Sequence, residues 1–129
     1  MADQASQRLS IAASPQQLFD VITDFDHYTD WIRDLKAVEV VSRDEQGRAI
    51  EVRYRAAAMG RSTSYTLRYD YTDAPGTLPW RLVQGDIMRR LDGAYELVPV
   101  PDDPDRTDVV YHLTVELVVP LPGFVKRRA

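Results

Sequence analysis

Apolar residues recur at every second position through most of this chain, and this alternation constrains the fold more than any other feature. Between Ala37 and Val119 the sequence divides into alternating segments, separated by short turn sequences such as Asp44–Gly47. A period of two gives a strand one apolar face and one polar face. Connections this short favour antiparallel hairpins over parallel crossover units. The sequence therefore predicts an antiparallel sheet with one buried and one solvated face.

We predict seven strands, of which the first precedes the helices. They are Gln7–Ala13, Ala37–Arg43, Ile50–Ala56, Tyr65–Tyr71, Trp80–Gln84, Leu91–Val98 and Val109–Val119. The proline-rich, polar segment Pro99–Asp108 is predicted as a loop. On the last strand we expect His112 and Glu116 to lie on the solvated face. The residues expected to be buried on the opposite face are Val109, Tyr111, Leu113, Val115 and Leu117.

Two short helices are predicted between the first and second strands. Ser14 suits the N-cap, Pro15 the first helical position, and Gln17 completes a capping box. The apolar residues that follow at helical spacing are Leu18, Phe19, Val21 and Ile22. After an interruption, a second helix is predicted from His27 to Leu35. A third helix is predicted to begin near the end of the sequence, from Phe124 to Ala129.

Length and composition limit the class of protein. The 129 residues suit a single domain spanning 1–129, and 44% hydrophobic with 28% charged residues is ordinary globular usage. A net charge of −4 argues against nucleic acid as a partner, because phosphate binding needs a basic surface. No segment approaches the roughly 20 apolar residues of a membrane helix, so no stable membrane insertion is predicted. The absence of cysteine and of a visible signal peptide favours the cytoplasm.

The sequence carries no catalytic or metal-binding signature. His27 and His112 are the only histidines and lie far apart in sequence, and there is no cysteine. Gly-rich phosphate loops and a Gly-x-Ser-x-Gly elbow are absent. The chain contains the residue types of a Ser-His-Asp triad, but no motif indicates that three of them form one. We therefore predict no metal and no cofactor, and leave enzymatic activity open.

Aromatic residues are the most informative candidates for a site. Many carry hydroxyls and fall on the apolar side of the predicted strands, where they would give an apolar cavity a few polar groups. Such a cavity suits a polyketide, polyphenol, lipid or quinone. We expect Trp31, Tyr54, Tyr65, Tyr69 and Tyr95 to border one shared cavity. The full set of predicted ligand-binding residues is Phe25, Tyr28, Trp31, Tyr54, Tyr65, Tyr69, Trp80, Tyr95, Tyr111 and Phe124.

Four stretches, with the order of elements, give the chain a family resemblance. They are Ser14-Pro15 before an apolar helix, Asp26-His27-Tyr28-Thr29-Asp30-Trp31-Ile32, Leu91-Asp92-Gly93-Ala94-Tyr95-Glu96-Leu97-Val98-Pro99, and Val118-Val119-Pro120-Leu121-Pro122-Gly123-Phe124-Val125-Lys126-Arg127-Arg128. The chain resembles the START-like (SRPBCC) superfamily over nearly its whole length. Within it, the chain looks like the small actinobacterial type of the polyketide cyclase/dehydrase and coenzyme-Q-binding branch.

The resemblance implies an α+β helix-grip fold, in which a curved antiparallel sheet of about seven strands wraps a C-terminal helix around a cavity. It implies binding of a small hydrophobic or aromatic ligand in that cavity. The first alternative is a polyketide aromatase/cyclase-dehydrase, for which Arg33, Arg89 or Arg90 would reach the cavity mouth. The second is a protein-interaction module that uses an open groove.

The family's last helix runs several turns past the Lys126-Arg127-Arg128 segment, whereas this sequence reaches only Ala129. Six or seven residues make an unstable helix without tertiary support. We therefore expect either further residues after Ala129 in the natural protein or a second copy of the chain, as a homodimer, to cover the groove.

Overall fold

The computed structural model describes residues 3–58 and 60–117, which form a seven-stranded antiparallel sheet and two helical elements. The strands are β1 (Asp3–Ile11), β2 (Leu35–Arg43), β3 (Ala49–Ala58), β4 (Arg61–Tyr69), β5 (Thr77–Gly85), β6 (Met88–Val100) and β7 (Asp103–Leu117). Between β1 and β2 lie α1 (Pro15–Ile22) and a 3-10 helix (Phe25–Asp30). This composition confirms the predicted α+β class. The predicted helix at Phe124–Ala129 lies outside the described residues.

The strand order is β1-β7-β6-β5-β4-β3-β2, so β2 to β7 form a continuous meander and β1 pairs with the last strand. The chain must therefore cross from one edge of the sheet to the other between β1 and β2. α1 and the 3-10 helix make this crossing over the apolar face. Phe19 packs edge-on against Tyr71, and Phe25 packs against Tyr69 with the two rings tilted. We call the face that the two helices cover the inner face, and the opposite one the outer face.

The alternation of the last strand has the predicted register. Tyr111 lies opposite Tyr95 on the inner face, with ring centroids 5.3 Å apart. On the outer face the His112 Nε2 atom is 2.8 Å from Glu96 Oε1, and its Nδ1 atom is 2.9 Å from Ser6 Oγ. Because side chains alternate strictly, this placement fixes the inner face for the whole strand.

Burial of the last strand was predicted wrongly. Its inner-face residues are half-buried rather than buried; they are Val109, Tyr111, Leu113, Val115 and Leu117. The helical elements supply the reason, because α1 packs on β6 and the 3-10 helix on β2. The described residues thus leave the inner face of β7 only partly covered.

Both predicted short helices are present, but the second is a 3-10 helix with different bounds. Ser14 Oγ accepts a hydrogen bond from the Gln17 amide at 3.2 Å, and the Ser14 amide donates to Gln17 Oε1 at 2.8 Å, so the capping box is complete. The segment predicted as a helix from His27 to Leu35 instead forms the 3-10 turn, and Leu35 begins β2. A 3-10 helix places residues three apart on one side, which directs both Phe25 and Tyr28 into the core.

The segment Pro99–Asp108 was predicted as a loop, yet β6 and β7 run through it and leave a tight turn at Pro101 and Asp102. Pro104 is tolerated because it lies in an irregularity between two strand pairs, Pro99 with Thr107 and Val100 with Asp103. No ladder hydrogen bond is required of its nitrogen there. The other strands differ from their predicted bounds by a few residues at their ends.

Candidate functional site

A cavity of about 290 Å³ lies between the inner face, the 3-10 helix and the start of β2. Its walls are aromatic and aliphatic, with tyrosine hydroxyls as most of the polar groups. The lining residues are Tyr28, Ile32, Leu35, Tyr54, Tyr65, Leu67, Tyr69, Trp80, Met88, Leu91, Tyr95, Tyr111 and Leu113. The volume is at the lower end of the range for small-molecule sites, about 300–1,000 Å³.

Strand register brings the aromatic residues together from distant parts of the sequence. Tyr54 lies opposite Tyr65 across β3 and β4, and Tyr69 lies opposite Trp80 across β4 and β5. Neighbouring rings are 5.3 Å apart in the first pair and 6.2 Å in the second. Trp80 then contacts Tyr95 at 5.1 Å. The result is a continuous band of rings across the sheet, at separations typical of favourable aromatic pairs.

Gly93 provides the space in which the Trp80 indole lies. The two residues are paired across β5 and β6. A Cβ atom at position 93 would come within 2.5 Å of Trp80 Cζ2 and would also collide with the His112 carbonyl oxygen. The glycine thus lets the indole lie flat over the backbone of β6 and form one wall of the cavity.

Two of the tyrosine hydroxyls form a buried pair. Tyr54 Oη and Tyr69 Oη are 2.5 Å apart, and the two residues are only 4% and 6% exposed. Burial raises the pKa of both phenols well above the usual value, because a phenolate would lose its hydration. Burial likewise raises the pKa of Tyr95 to about 12. These groups are therefore neutral hydroxyls at physiological pH.

The Tyr28 hydroxyl is held differently. It donates to the backbone carbonyl of Ile22, in the last turn of α1. This bond ties the 3-10 helix to α1 and fixes the Tyr28 ring over Tyr54, at a centroid distance of 6.2 Å. Tyr28 therefore closes one side of the cavity with its ring, while its hydroxyl is already engaged.

Most of the predicted site residues come together in this cavity, and two of the described ones do not. Those that line it are Tyr28, Tyr54, Tyr65, Tyr69, Trp80, Tyr95 and Tyr111. Phe25 lies behind the wall, 4.8 Å from the Tyr69 ring and 5.1 Å from the Tyr28 ring. Trp31 was expected to border the cavity, and it is not among the described residues that line it: it is 56% exposed and contacts Tyr28 edge-on at 5.4 Å. Phe124 lies outside the described residues.

Trp31 is exposed because the 3-10 helix ends there. Its φ of −133° departs from helical values, so the spacing of three that buries Phe25 and Tyr28 is not continued to this residue. The sequence pattern alone shows only the spacing and not the end of the helix.

Sequence reasoning missed the aliphatic part of the lining. Leu67, Leu91 and Leu113 alternate in phase with the predicted tyrosines, and this phase is the signal that places them in the same wall. Ile32 and Leu35 were assigned to a helix, and Met88 precedes the predicted strand Leu91–Val98, so none of the three had a comparable signal.

The three arginines considered for the cavity mouth do not line the cavity formed by the described residues. Arg89 pairs with Glu116 at 3.4 Å, and Arg90 with Asp92 at 2.7 Å. Arg33 is exposed. A guanidinium role in this site is thus unsupported.

A second, larger groove of about 680 Å³ lies where the β2–β3 turn meets the β4–β5 connection. Arg48, Arg68 and Arg81 line it together with Asp44 and Asp70. Arg48 pairs with Asp44 at 2.8 Å, and Arg68 with Glu51 at 3.2 Å, so the charges are largely satisfied within the protein. We therefore take the aromatic cavity, and not this charged groove, as the candidate site for an apolar ligand.

Residues 11–129 match the sequence profile of the family described as polyketide cyclase / dehydrase and lipid transport. The chain belongs to this family. The match covers almost the whole sequence, and it agrees with the resemblance inferred from the four local stretches. A search of curated proteins finds no significant match.

Solved structures show the same fold. A START superfamily protein from Mycobacterium smegmatis is 26% identical, with a TM-score of 0.82 over 97% of this chain and 84% of that one. The protein TTHA0849 from Thermus thermophilus is 23% identical, with a TM-score of 0.78 over 98% and 82% of the two chains. The Zhui aromatase/cyclase from Streptomyces sp. R1128 is 18% identical, with a TM-score of 0.77 over 94% and 72%. The fold of this chain is accordingly START-like, of the helix-grip type.

Within residues 3–58 and 60–117, no helix has the length and apolar character to cross a lipid bilayer. In the same ranges no cluster of three or more histidine and acidic residues has a geometry that could hold a metal ion.

Proposed function

We propose that this protein binds a small hydrophobic or aromatic molecule, of polyketide, lipid or quinone type, in the aromatic cavity of the inner face. The observation that carries the proposal is the band of tyrosine rings with Trp80, which surrounds about 290 Å³ of space with few polar groups. A flat, apolar ligand would contact ring faces and edges and would remove apolar surface from water.

Membership of the family supports this function at a coarse level. The family's description covers cyclases, dehydrases and lipid transport proteins, which have in common the handling of apolar molecules. Neutral hydroxyls give the cavity polar groups that orient a ligand without the cost of burying a charge.

The two tryptophans allow a direct test. Trp80 lines the cavity and also the arginine-lined groove, whereas Trp31 is exposed. The Trp80 indole N–H signal in an amide correlation spectrum therefore reports on the cavity only when the amides of Tyr95 and Leu113, which line the cavity and not the groove, shift with it. In a titration with tetralin, a two-ring hydrocarbon, we expect the Trp80 signal and the amides of β4 to β7 to shift. The Trp31 signal is the internal control.

The proposal would be contradicted if neither indole signal moved with tetralin or with its ketone, 1-tetralone. Equal movement of both signals would contradict it as well, because it would indicate nonspecific association with the surface. Independently of the titration, native mass spectrometry of the protein purified from its own host would identify a retained ligand by its mass.

A second candidate is an aromatase/cyclase. The observation that favours it is the Tyr54–Tyr69 pair, two neutral hydroxyls beside an apolar cavity that could polarise a carbonyl group. The Zhui aromatase/cyclase shares the fold. This candidate predicts turnover of a linear poly-ketone substrate and loss of that turnover in the double variant Tyr54→Phe/Tyr69→Phe. Binding without turnover would favour the first candidate.

A further inference from the structure

The hydroxyls of Tyr54 and Tyr69 carry two hydrogens, and the hydrogen bond between them engages only one. Each phenol carries one O–H donor, and the single bond between the two oxygens engages one of the two hydrogens. Among residues 3–58 and 60–117, neither hydroxyl has any other hydrogen-bond partner. One O–H group of the pair therefore lacks a protein acceptor in the described part of the chain.

This unengaged donor is buried and borders the cavity. Both residues line the cavity and are at least nine-tenths buried. A buried donor without an acceptor is costly, so it favours any molecule that brings an acceptor to it. Among the other tyrosines of the lining, Tyr28 already donates to the Ile22 carbonyl. Tyr65, Tyr95 and Tyr111 are only half-buried, so a hydroxyl without an acceptor costs less there than in the buried pair.

The lining formed by the described residues favours an uncharged acceptor. Within the described residues the lining contains no lysine, arginine or histidine, so a carboxylate or phosphate in the cavity would have no counter-charge. Burial holds both phenols in the protonated form, so the pair keeps a hydrogen that it can donate to a ligand. A carbonyl oxygen on an apolar framework satisfies both conditions.

We infer that the Tyr54–Tyr69 hydroxyl pair selects ligands that carry a neutral carbonyl oxygen on a fused-ring or similarly flat apolar framework, as in aromatic ketones and quinones. The inference rests on the proposed binding function and adds a specificity to it. The pair acts as one donor, because one hydrogen is engaged between the two oxygens and the other is left free for a ligand.

The test compares two probes of nearly the same shape. 1-Tetralone carries one carbonyl group, and tetralin lacks it. We expect 1-tetralone to bind about tenfold more tightly than tetralin, measured from the Trp80 indole and amide shifts, since one buried hydrogen bond is gained. In the double variant Tyr54→Phe/Tyr69→Phe this preference is lost, while tetralin binds as in the wild type. The double variant is used because either single variant still retains one free hydroxyl donor.

Tyr71→Phe is the matched control. Tyr71 is also a buried tyrosine, but it lies outside the cavity lining and donates to the Ala49 carbonyl at 2.7 Å. The preference for 1-tetralone should survive this substitution. The phenylalanine pair should fold, since two hydrogen-bonding groups are replaced together by apolar groups of the same shape.

The possible outcomes distinguish failure of the carbonyl selectivity from failure of the proposed binding function. Equal affinity of the wild type for both probes, or a preference that survives the double substitution, would overturn the inference and leave the binding function standing. Failure of both probes to bind would overturn the binding function and the inference with it.

Discussion

At residue 93 the absence of a side chain decides the shape of the cavity wall. A methyl group there would meet Trp80 Cζ2 at 2.5 Å and Trp80 Cε2 at 2.9 Å, and would collide with the backbone of β7. Neither a rigid indole nor a strand backbone can move away at low cost. For Gly93→Ala we therefore expect a loss of about 1–3 kcal/mol in the free energy of unfolding, measured by urea denaturation.

Gly76→Ala is the matched control for this prediction. A Cβ atom at position 76 would meet only the Asp73 carbonyl oxygen, at an ordinary 3.6 Å. Its unfolding free energy should stay within about 0.5 kcal/mol of the wild type. A Gly93→Ala protein as stable as this control would show that the indole does not lie over β6.

The phenols of the cavity make the free energy of unfolding fall at alkaline pH. Burial raises the pKa of Tyr95 to about 12, whereas in the unfolded chain the phenol ionises near its ordinary value of about 10. Between those values the unfolded state binds fewer protons than the folded state, so the free energy of unfolding falls as pH rises. The contribution is fully present below about pH 10.

Urea unfolding at a series of pH values above neutrality measures this effect, and phenolate absorbance reports ionisation of the folded protein. We expect Tyr95→Phe to make the decline shallower, because one raised pKa is removed. An unchanged slope in the variant would place the Tyr95 hydroxyl in contact with bulk water.

At the scale of elements, α1 is specified by its own residues. Ser14 and Gln17 exchange side-chain and backbone hydrogen bonds before the helix begins, which satisfies donors that the first turn leaves open. We expect Ser14→Ala to cost about 1 kcal/mol of unfolding free energy. Ser62→Ala, at an exposed position of β4, serves as the control and should change stability little. Equal effects of the two substitutions would rule out the capping role.

Local signals of this kind explain which elements the sequence could predict. The capping box and the period-two alternation are short-range patterns, and they correctly predicted α1, the number of strands and the inner face of β7. The 3-10 helix depends on Tyr28 reaching the Ile22 carbonyl and packing on Tyr54, which are contacts of the folded state. The extension of β6 and β7 through Pro99–Asp108 likewise depends on cross-strand pairing that spacing does not show.

The same distinction holds for the candidate site. The phase of alternation sufficed to place Tyr54, Tyr69 and Tyr95 on one face. It could not show that Tyr54 and Tyr69 lie with hydroxyls in contact, because that distance follows from the register of β3 on β4. Nor could it show that Trp31 lies outside the cavity, since its exposure follows from the end of the 3-10 helix.

At the scale of the whole molecule, the helical elements of the described residues cover the inner face unevenly. α1 and the 3-10 helix pack on β6 and β2, and the core beneath them is buried, whereas Val109, Tyr111 and Leu113 on β7 stay half-buried. The homodimer and the cytoplasmic location stay predictions. Sedimentation velocity over a range of protein concentrations would test the first of them.

A ligand in the cavity should stabilise the molecule as a whole, because its contacts come from strands far apart in sequence. The cavity joins the 3-10 helix to β3, β4, β5, β6 and β7, and the unfolded chain cannot reproduce that surface. A molecule that binds only the folded state adds about 2.7 kcal/mol at a free concentration one hundred times its Kd. We therefore expect 1-tetralone to raise the urea midpoint of the wild type and to slow amide hydrogen exchange in β7 as well as in β4.

At the same probe concentration the double variant Tyr54→Phe/Tyr69→Phe should show a smaller shift, because its affinity for the ketone is lower. Protection confined to the 3-10 helix, with an unchanged midpoint, would place the ligand on the surface near Trp31 instead of inside the sheet's aromatic wall.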